Sequence, residues 1–281
     1  MENIVTLGLV QMSMSDDKEE NFSKALGMIE EATSKGSQII CLPELFATRY
    51  FPQAEKSTIE PEGIPGPTSK FLSNAARKNH VVLVGGSIYE MDGKKRYNTC
   101  VAFDEQGRML GKYRKVHIPQ DEDFHEQDYF SPGDSYSTFK TSKGRVGSLI
   151  CFDQWYSEPA RIERLLGAKI LFYPTAIGTV KSIEQTEGNW KEAWEAVQRG
   201  HSIANSIVVA SINRVGSEGE MKFWGGSFVY DQFGTLLARA GTKEEVLAVE
   251  CDLSLGARIE DGWRFLRNRM PKTYSKIIGR P

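Results

Sequence analysis

The sequence predicts an α/β protein built as a four-layer α-β-β-α sandwich, in which two mixed sheets pack face to face and helices cover their outer faces. Three observations predict it. Strand-like apolar runs alternate with helix-like segments along the chain, each half passes from β/α units into hairpins, and no Pro/Gly-rich linker separates the halves. We therefore expect a single domain over residues 1–281.

The first half contains both apolar periodicities. Its first helix has apolar residues at the spacing of a core-facing helix, at Phe22, Ala25, Leu26, Ile29 and Ala32. Turn residues follow at Asp92-Gly93 and Glu105-Gln106-Gly107, which predict consecutive hairpins. The predicted elements are strand Ile4–Gln11, helix Lys18–Ser34, strand Gln38–Leu42, helix Ser69–Asn79, strand Val81–Ile88, and hairpin strands at Tyr89, Tyr97–Phe103 and Met109–Tyr113.

The second half repeats this order. A turn at Phe233-Gly234 lies among three short strand-like runs, which predict a second meander. The predicted elements are strand Arg145–Cys151, helix Glu158–Leu166, strand Lys169–Pro174, helix Trp190–Asn205, strand Ile207–Asn213, and meander strands Ser227–Asp231, Leu236–Ala240 and Glu245–Cys251.

Composition narrows the function classes. A net charge of −2 gives no signature of nucleic-acid binding, and no apolar run approaches the ~20 residues that span a bilayer. The four cysteines are scattered and the four histidines have no metal-ligand spacing, which argues against a disulfide framework and a zinc site. We expect a cytoplasmic enzyme without a metal or other cofactor, and with neither nucleic acid nor membrane as a partner.

Cys151 is the first candidate for chemistry. It ends the apolar strand within Gly-Ser-Leu-Ile-Cys-Phe-Asp-Gln-Trp-Tyr, and a helical segment opens at Glu158. A cysteine at such a strand-to-helix turn lies at a sheet edge, and its thiolate is a strong nucleophile.

Polar residues follow two further strands. Glu44 lies in Cys-Leu-Pro-Glu-Leu-Phe, where apolar neighbours would raise its pKa towards that of a general base. Lys115 follows a hairpin strand, and Glu126 lies in an acidic run between two aromatic residues. His117 is an alternative base for a Cys–His dyad, and the residues alone do not choose between these candidates.

Taken together, these motifs resemble the nitrilase superfamily of carbon–nitrogen hydrolases. Glu44 in Leu-Pro-Glu-Leu, Lys115 in Lys-x-Arg-Lys-x-His and Cys151 in Ile-Cys-x-Asp match its three catalytic motifs in order. The resemblance implies Cys151 as nucleophile, Glu44 as general base and Lys115 as stabiliser of the tetrahedral intermediate. It also implies Glu126 as a supporting residue, a structural His117, and a sandwich of the nitrilase type.

Longer motifs resemble the N-carbamoylputrescine amidohydrolase branch of that superfamily. The matching stretches are Lys112–Pro119, Phe124–Phe130, Cys151–Tyr156, Phe172–Gly178 and Gln198–His201. This resemblance implies a small carbamoylated amine as substrate, cleaved at its ureido C–N bond to putrescine, CO2 and NH3.

Such a substrate predicts a binding set around the nucleophile. Phe152 would offer its backbone N–H to the oxyanion. Aromatic residues would line the methylene channel, and a carboxylate would bind the distal ammonium. The aromatic candidates are Trp155, Tyr156 and Tyr173. Thr175 joins the predicted binding set, and the candidate carboxylates are Asp121, Asp123, Asp128 and Glu187.

Two other functions remain open. An amidase of the same superfamily that acts on N-carbamoyl amino acids or β-ureido acids would need a pocket arginine, and Asp153-Gln154-Trp155 after the nucleophile disfavours it. A non-catalytic scaffold would not need the Glu44, Lys115 and Cys151 set. The family resemblance also implies a homo-oligomer, with the tail at 256–281 in its contacts.

Overall fold

The computed structural model describes residues 3–121, 124–181 and 186–279. Its strands are β1 Ile4–Gln11, β2 Ile39–Cys41, β3 Val82–Val84, β4 Ile88–Asp92, β5 Lys95–Phe103, β6 Met109–Arg114, β7 Thr138–Thr141, β8 Gly144–Ser148, β9 Ile170–Pro174, β10 Gly178–Val180, β11 Val208–Ile212, β12 Val215–Glu218, β13 Met221–Trp224, β14 Phe228–Tyr230, β15 Leu236–Arg239 and β16 Glu245–Asp252. Its α-helices are α1 Lys18–Ser34, α2 Pro67–Asn79, α3 Glu126–Tyr129, α4 Ser157–Leu165, α5 Trp190–Asn205 and α6 Leu255–Gly262. None of these helices is both long enough and apolar enough to cross a membrane.

The strands form two large mixed sheets and one small sheet. The first has the order β16-β1-β2-β3-β5-β4, with β6 paired to β5, and its parallel pairs are β1–β2 and β2–β3. The second has the order β15-β14-β11-β9-β8-β7, with β8, β9 and β11 parallel. β10, β13 and β12 form an antiparallel three-stranded sheet that the sequence did not predict.

The two large sheets pack face to face. Leu7 and Leu9 of β1 and Ile39 of β2 belong to the same buried cluster as Phe172 of β9 and Val208 of β11. Because side chains alternate along a strand, the neighbouring positions point to the opposite face of each sheet. This cluster is the core between the second and third layers of the predicted sandwich.

Helices cover the outer faces. Ile40 and Leu83 of the first sheet pack in one buried cluster with Phe22 and Ile29 of α1 and Leu72 of α2. Helices α4 and α5 contact each other, and α5 also contacts β11 of the second sheet. The four-layer α-β-β-α fold is therefore confirmed.

Two predicted strands differ from the structure. The run predicted as one strand at Val81–Ile88 is interrupted at Gly86, whose φ is +59° and where a Cβ would lie 2.1 Å from the Pro43 carbonyl oxygen. The predicted second meander is also wrong at its last strand. β16 leaves β15 and pairs antiparallel with β1, from Ile4 opposite Asp252 to Gln11 opposite Glu245, so it closes the first sheet.

Candidate active site

Cys151 occupies a sharp turn at the end of the second sheet. β8 ends at Ser148, and a 3-10 helix begins at Cys151 and runs to Trp155. Cys151 has a φ of +42°, a left-handed conformation that costs a non-glycine residue of order 1–3 kcal/mol. This conformation presents the thiol at the mouth of the turn, where the Ala176 carbonyl oxygen lies 3.8 Å from Sγ.

Asp153 holds that turn in place. Its fully buried carboxylate accepts hydrogen bonds from Ile150 N at 2.9 Å and from the Tyr113 hydroxyl at 2.8 Å. The His117 backbone N–H donates to Asp153 Oδ1 at 3.0 Å, and the Nδ1 atom of His117 lies 2.8 Å from the same Oδ1 atom. Charge-assisted bonds of this kind are roughly twice as strong as neutral ones, so Asp153 ties the turn firmly to the segment that follows β6.

Lys115 lies directly after β6 and is fully buried between two carboxylates. Its Nζ is 2.9 Å from Glu44 Oε1 and 2.8 and 2.6 Å from the two oxygens of Glu126. The Tyr50 hydroxyl donates to Glu126 Oε1 at 2.8 Å. A buried charge is tolerated only when it is paired and hydrogen-bonded, and here each partner is both.

Glu44 follows β2 and keeps one oxygen available. Oε1 accepts from Lys115 and from Asn98 Nδ2 at 2.8 Å, whereas Oε2 is buried with no hydrogen-bond partner among the described residues. The next residue, Leu45, has a φ of +48° and donates its N–H to Ser87 Oγ. An unpaired buried carboxylate oxygen is a strong acceptor for a proton that is brought within reach.

The charges in the site act on one another. Burial, followed by the charge of Glu44, raises the pKa of Cys151 well above its ordinary value, and Lys115 opposes the rise. Burial acts to lower the pKa of Lys115, but Glu126 and Glu44 outweigh it and raise that pKa. Burial raises the pKa of Glu126, against the charge of Lys115. The thiol therefore rests protonated beside a permanent ammonium and two carboxyl groups.

A cavity of about 290 Å³ opens over Cys151. This volume is near the lower end of the range for small-molecule sites. The described residues that line it include no arginine, lysine or histidine, and one exposed carboxylate residue, Asp121. They are Tyr50, Pro119, Asp121, Phe124, Glu126, Cys151, Phe152, Gln154, Trp155, Ala176, Ile177, Gly178, Trp190 and Ala193.

Of the predicted binding residues, Phe152 and Trp155 line this cavity, and three others do not. Tyr156 stacks on the His117 ring at 3.7 Å, outside the cavity wall. Thr175 is fully buried and donates to the Tyr173 carbonyl. Glu187 is exposed and accepts from Trp190 Nε1, so it orients a cavity residue without lining the cavity itself.

The remaining candidates are also separated by the structure. Tyr173 is fully buried, its ring lies near His201 of α5, and it does not line the cavity. Asp128 accepts from Gln120 at the surface, and Asp123 lies outside the described residues. Asp121 is the predicted carboxylate that reaches the cavity wall. His117 contacts Asp153 and is no part of that wall, so its geometry does not suit a Cys–His dyad.

Several residues of the site were not predicted. Asn98 contacts Glu44, Tyr50 contacts Glu126, and Trp190 lines the cavity. Asn98 could be identified from the sequence, because an amide inside the apolar strand β5 needs a buried hydrogen-bond partner. The described residues contain no cluster of three His, Cys, Asp or Glu side chains arranged to hold a metal ion.

Comparison with known proteins gives one family match and three similar proteins. Residues 6–260 match the family model for carbon-nitrogen hydrolase. The N-carbamoylputrescine amidase of Solanum lycopersicum is 37% identical over 289 residues, which cover 98% of this chain and 95% of that protein. The omega-amidase NIT2 of Bos taurus is 38% identical over 264 residues, 90% of each. A crystal structure of a carbon-nitrogen hydrolase from Helicobacter pylori G27 has a TM-score of 0.92 and 35% identity, and covers 99% of both chains.

Proposed function

Because the chain belongs to the carbon-nitrogen hydrolase family and is an amide-hydrolysing enzyme of the nitrilase superfamily, we propose that it hydrolyses a ureido amine of the N-carbamoylputrescine type. The observation that carries this choice is the charge of the cavity, with Asp121 on its wall and no basic residue among the described lining residues. The residues at 122–123 and 182–185 contain no lysine, arginine or histidine in the sequence either.

The first half-reaction makes a covalent intermediate. Cys151 Sγ attacks the ureido carbon while Glu44 Oε2, which has no hydrogen-bond partner in the part of the chain that the structure describes, takes the thiol proton. The carbonyl electron pair moves to oxygen, where Lys115 and the backbone N–H of Phe152 stabilise the negative charge. The C–NH2 bond then breaks, Glu44 returns its proton to the leaving nitrogen, and ammonia departs from a carbamoylated Cys151.

The second half-reaction releases the amine. Glu44 takes a proton from water, and the resulting hydroxide attacks the carbamoyl carbon. The C–S bond breaks, Glu44 reprotonates the sulfur of Cys151, and the N-substituted carbamic acid loses CO2 to give the free diamine. Throughout, Glu126 holds the second side of Lys115 and keeps its ammonium aimed between the two reacting groups.

The lining of the cavity suits a cation. Phe124, Phe152, Trp155 and Trp190 provide apolar walls for a chain of methylenes, and an ammonium is attracted both by aromatic faces and by Asp121. A substrate that ends in a carboxylate would meet Asp121 without a compensating basic group among the described lining residues, which is a repulsive arrangement.

The second candidate is an amidase for carboxylate-terminated amides, and the 38% identity to an omega-amidase favours it. Ammonia release separates the two. We expect the highest kcat/KM for N-carbamoylputrescine, a lower value for N-butylurea, which lacks the ammonium, and the lowest for N-carbamoyl-β-alanine and a carboxylate-terminated ω-amide. Cys151→Ala is the inactive control. A preference for either carboxylate-terminated substrate would overturn the polyamine assignment.

We also propose a homo-oligomer with contacts in the tail at 256–281. In this segment Trp263, Met270, Ile277 and Ile278 are between 61% and 87% exposed. Apolar side chains exposed to this degree in one segment indicate a surface that is covered by another chain. Light scattering of the wild type and of an Ile277→Ser/Ile278→Ser variant tests it, because a monomeric wild type would contradict the proposal.

A further inference from the structure

Arg214 is a fully buried cation that the proposed chemistry does not use. It follows β11 of the second sheet and precedes β12 of the small sheet. Its Nη2 donates to the Glu44 carbonyl oxygen at 2.7 Å and to the Leu45 carbonyl oxygen at 3.1 Å. These carbonyl groups belong to the turn that carries the proposed base, 170 and 169 residues earlier in the chain.

The other side of the guanidinium is linked to Glu126 through Glu218 and Tyr50. Nη1 lies 2.9 and 3.1 Å from the two oxygens of Glu218, and Glu218 Oε2 accepts the Tyr50 backbone N–H at 2.6 Å. The hydroxyl of Tyr50 in turn donates to Glu126. A single buried ion pair therefore holds the backbone at Glu44 and at Tyr50, and through Tyr50 it supports the second partner of Lys115.

The turn needs such support because its backbone leaves the sheet. Leu45 has a φ of +48°, so the carbonyls of Glu44 and Leu45 point away from the ladder positions that a continuing strand would offer. A buried carbonyl without a partner costs about 1–3 kcal/mol, and one planar guanidinium can satisfy both.

We propose that Arg214 is a positioning residue that fixes the Glu44 turn of the first sheet relative to Cys151 on the second sheet. Glu44 and Cys151 come from opposite sheets, so sliding of one sheet past the other would change their separation. Arg214 follows β11, which lies parallel to β9, and β9 lies parallel to the strand that leads to Cys151. The inference rests on the proposed roles of Glu44 and Cys151.

The test compares Arg214→Lys with Arg164→Lys. Arg164 is a matched control because its guanidinium also donates to backbone carbonyls, of Asn205 at 2.9 Å and Ala168 at 3.5 Å, and it touches no residue of the site. We measure kcat and KM for N-carbamoylputrescine, the melting temperature, and the rate at which iodoacetamide alkylates Cys151. Lysine keeps the charge but loses the planar fork that reaches both carbonyls and Glu218.

A displaced base should change turnover more than binding. We expect Arg214→Lys to lower kcat about 100-fold with little change in KM, since a shift of about 1 Å costs this much in rate, and to change the alkylation rate of Cys151, whose pKa depends on the charge of Glu44. Arg164→Lys should leave kcat, KM and the alkylation rate unchanged even if its melting temperature falls. An Arg214→Lys variant with wild-type kcat and alkylation rate would overturn the inference.

Two further variants keep the test decisive. If Arg214→Lys does not fold, Arg214→Gln/Glu218→Gln removes the ion pair as a neutral pair, and we expect it to fold and still lose kcat. Wild-type turnover in this folded double variant would overturn the inference. Glu44→Gln separates failure of the proposed mechanism from failure of the positioning role. If Glu44→Gln stays active, the proposed mechanism fails. If Glu44→Gln is inactive and Arg214→Lys is active, only the positioning role fails.

Discussion

The replacement Glu44→Gln isolates the proton transfer from the rest of the site. Glutamine keeps the size of the side chain, and its amide oxygen can still accept from Asn98 and Lys115, as Oε1 does now. What it removes is Oε2 as a proton acceptor. The variant should therefore fold and bind substrate normally and fail at the chemical step.

The size of the loss follows from the thiol. Burial holds the pKa of Cys151 above the ordinary ~8.5, so less than about 3% of it is thiolate at pH 7. A variant in which only the free thiolate reacts should have a kcat at least about 30-fold lower. General bases typically contribute 10²–10⁴-fold to the rate. We expect kcat to fall in that range. Because removal of the Glu44 charge leaves burial as the main cause of the raised pKa, the residual rate should increase about tenfold per pH unit from pH 7 to 8.

Ammonia release at saturating substrate between pH 6 and 9 measures both effects. His117→Gln is the matched control, because it alters a titratable side chain next to Asp153 and should keep measurable turnover. A Glu44→Gln enzyme that keeps more than a tenth of wild-type kcat at pH 7 would contradict the role of Glu44 as the base. Loss of all turnover in His117→Gln together with an active Glu44→Gln would reassign the base.

Three further predictions concern the substrate end, the nucleophile turn and pH. Asp121→Asn should lower kcat/KM for N-carbamoylputrescine about fivefold, as expected for a solvent-exposed ion pair of about 1 kcal/mol, and leave N-butylurea unchanged; equal losses for both substrates would contradict the ammonium contact. Asp153→Asn should lower the free energy of unfolding by about 2–3 kcal/mol, because the amide turns a donor towards the N–H and O–H groups that Asp153 now accepts; an unchanged denaturant midpoint would contradict it. Burial raises the pKa of Glu163 to about 8. The native state therefore binds more protons than the unfolded chain between pH 4.3 and 8, and stability from this group is lost as pH rises through that window. Glu163→Gln should flatten this fall in melting temperature, and an identical pH profile would refute it.

The layers of the fold could be predicted because they follow from local periodicity. Helix α1 has the bounds that its apolar spacing predicts, Lys18–Ser34, and β1 matches its apolar run. The pairing of strands, in contrast, does not follow from local periodicity. The local sequence of β16 is typical of the next strand of a meander, but its backbone pairs antiparallel with β1, some 240 residues away in the chain. Gly86 likewise breaks a continuous apolar run because the Pro43 backbone approaches it, and no local pattern records that approach.

The residues of the site also differ in whether the local sequence identifies them. Cys151, Glu44 and Lys115 could be predicted because each follows a strand-like run in a recognisable motif. Arg214 could not be assigned, since the Glu44 and Leu45 carbonyl groups that it binds lie about 170 residues earlier in the chain and its neighbours give no motif. Thr175 is one of the predicted substrate-binding residues. In the structure its side chain points back to a backbone carbonyl, and local sequence does not determine that orientation.

The most direct measurement of the central claim is a rapid-quench mass spectrum of the intact enzyme mixed with N-carbamoylputrescine. We expect a transient adduct on Cys151 whose mass is that of the substrate less ammonia, formed together with one equivalent of ammonia before putrescine appears. We also expect that Cys151→Ala gives neither adduct nor ammonia. Putrescine and ammonia released by an enzyme that never carries this adduct, or turnover by Cys151→Ala, would contradict the account.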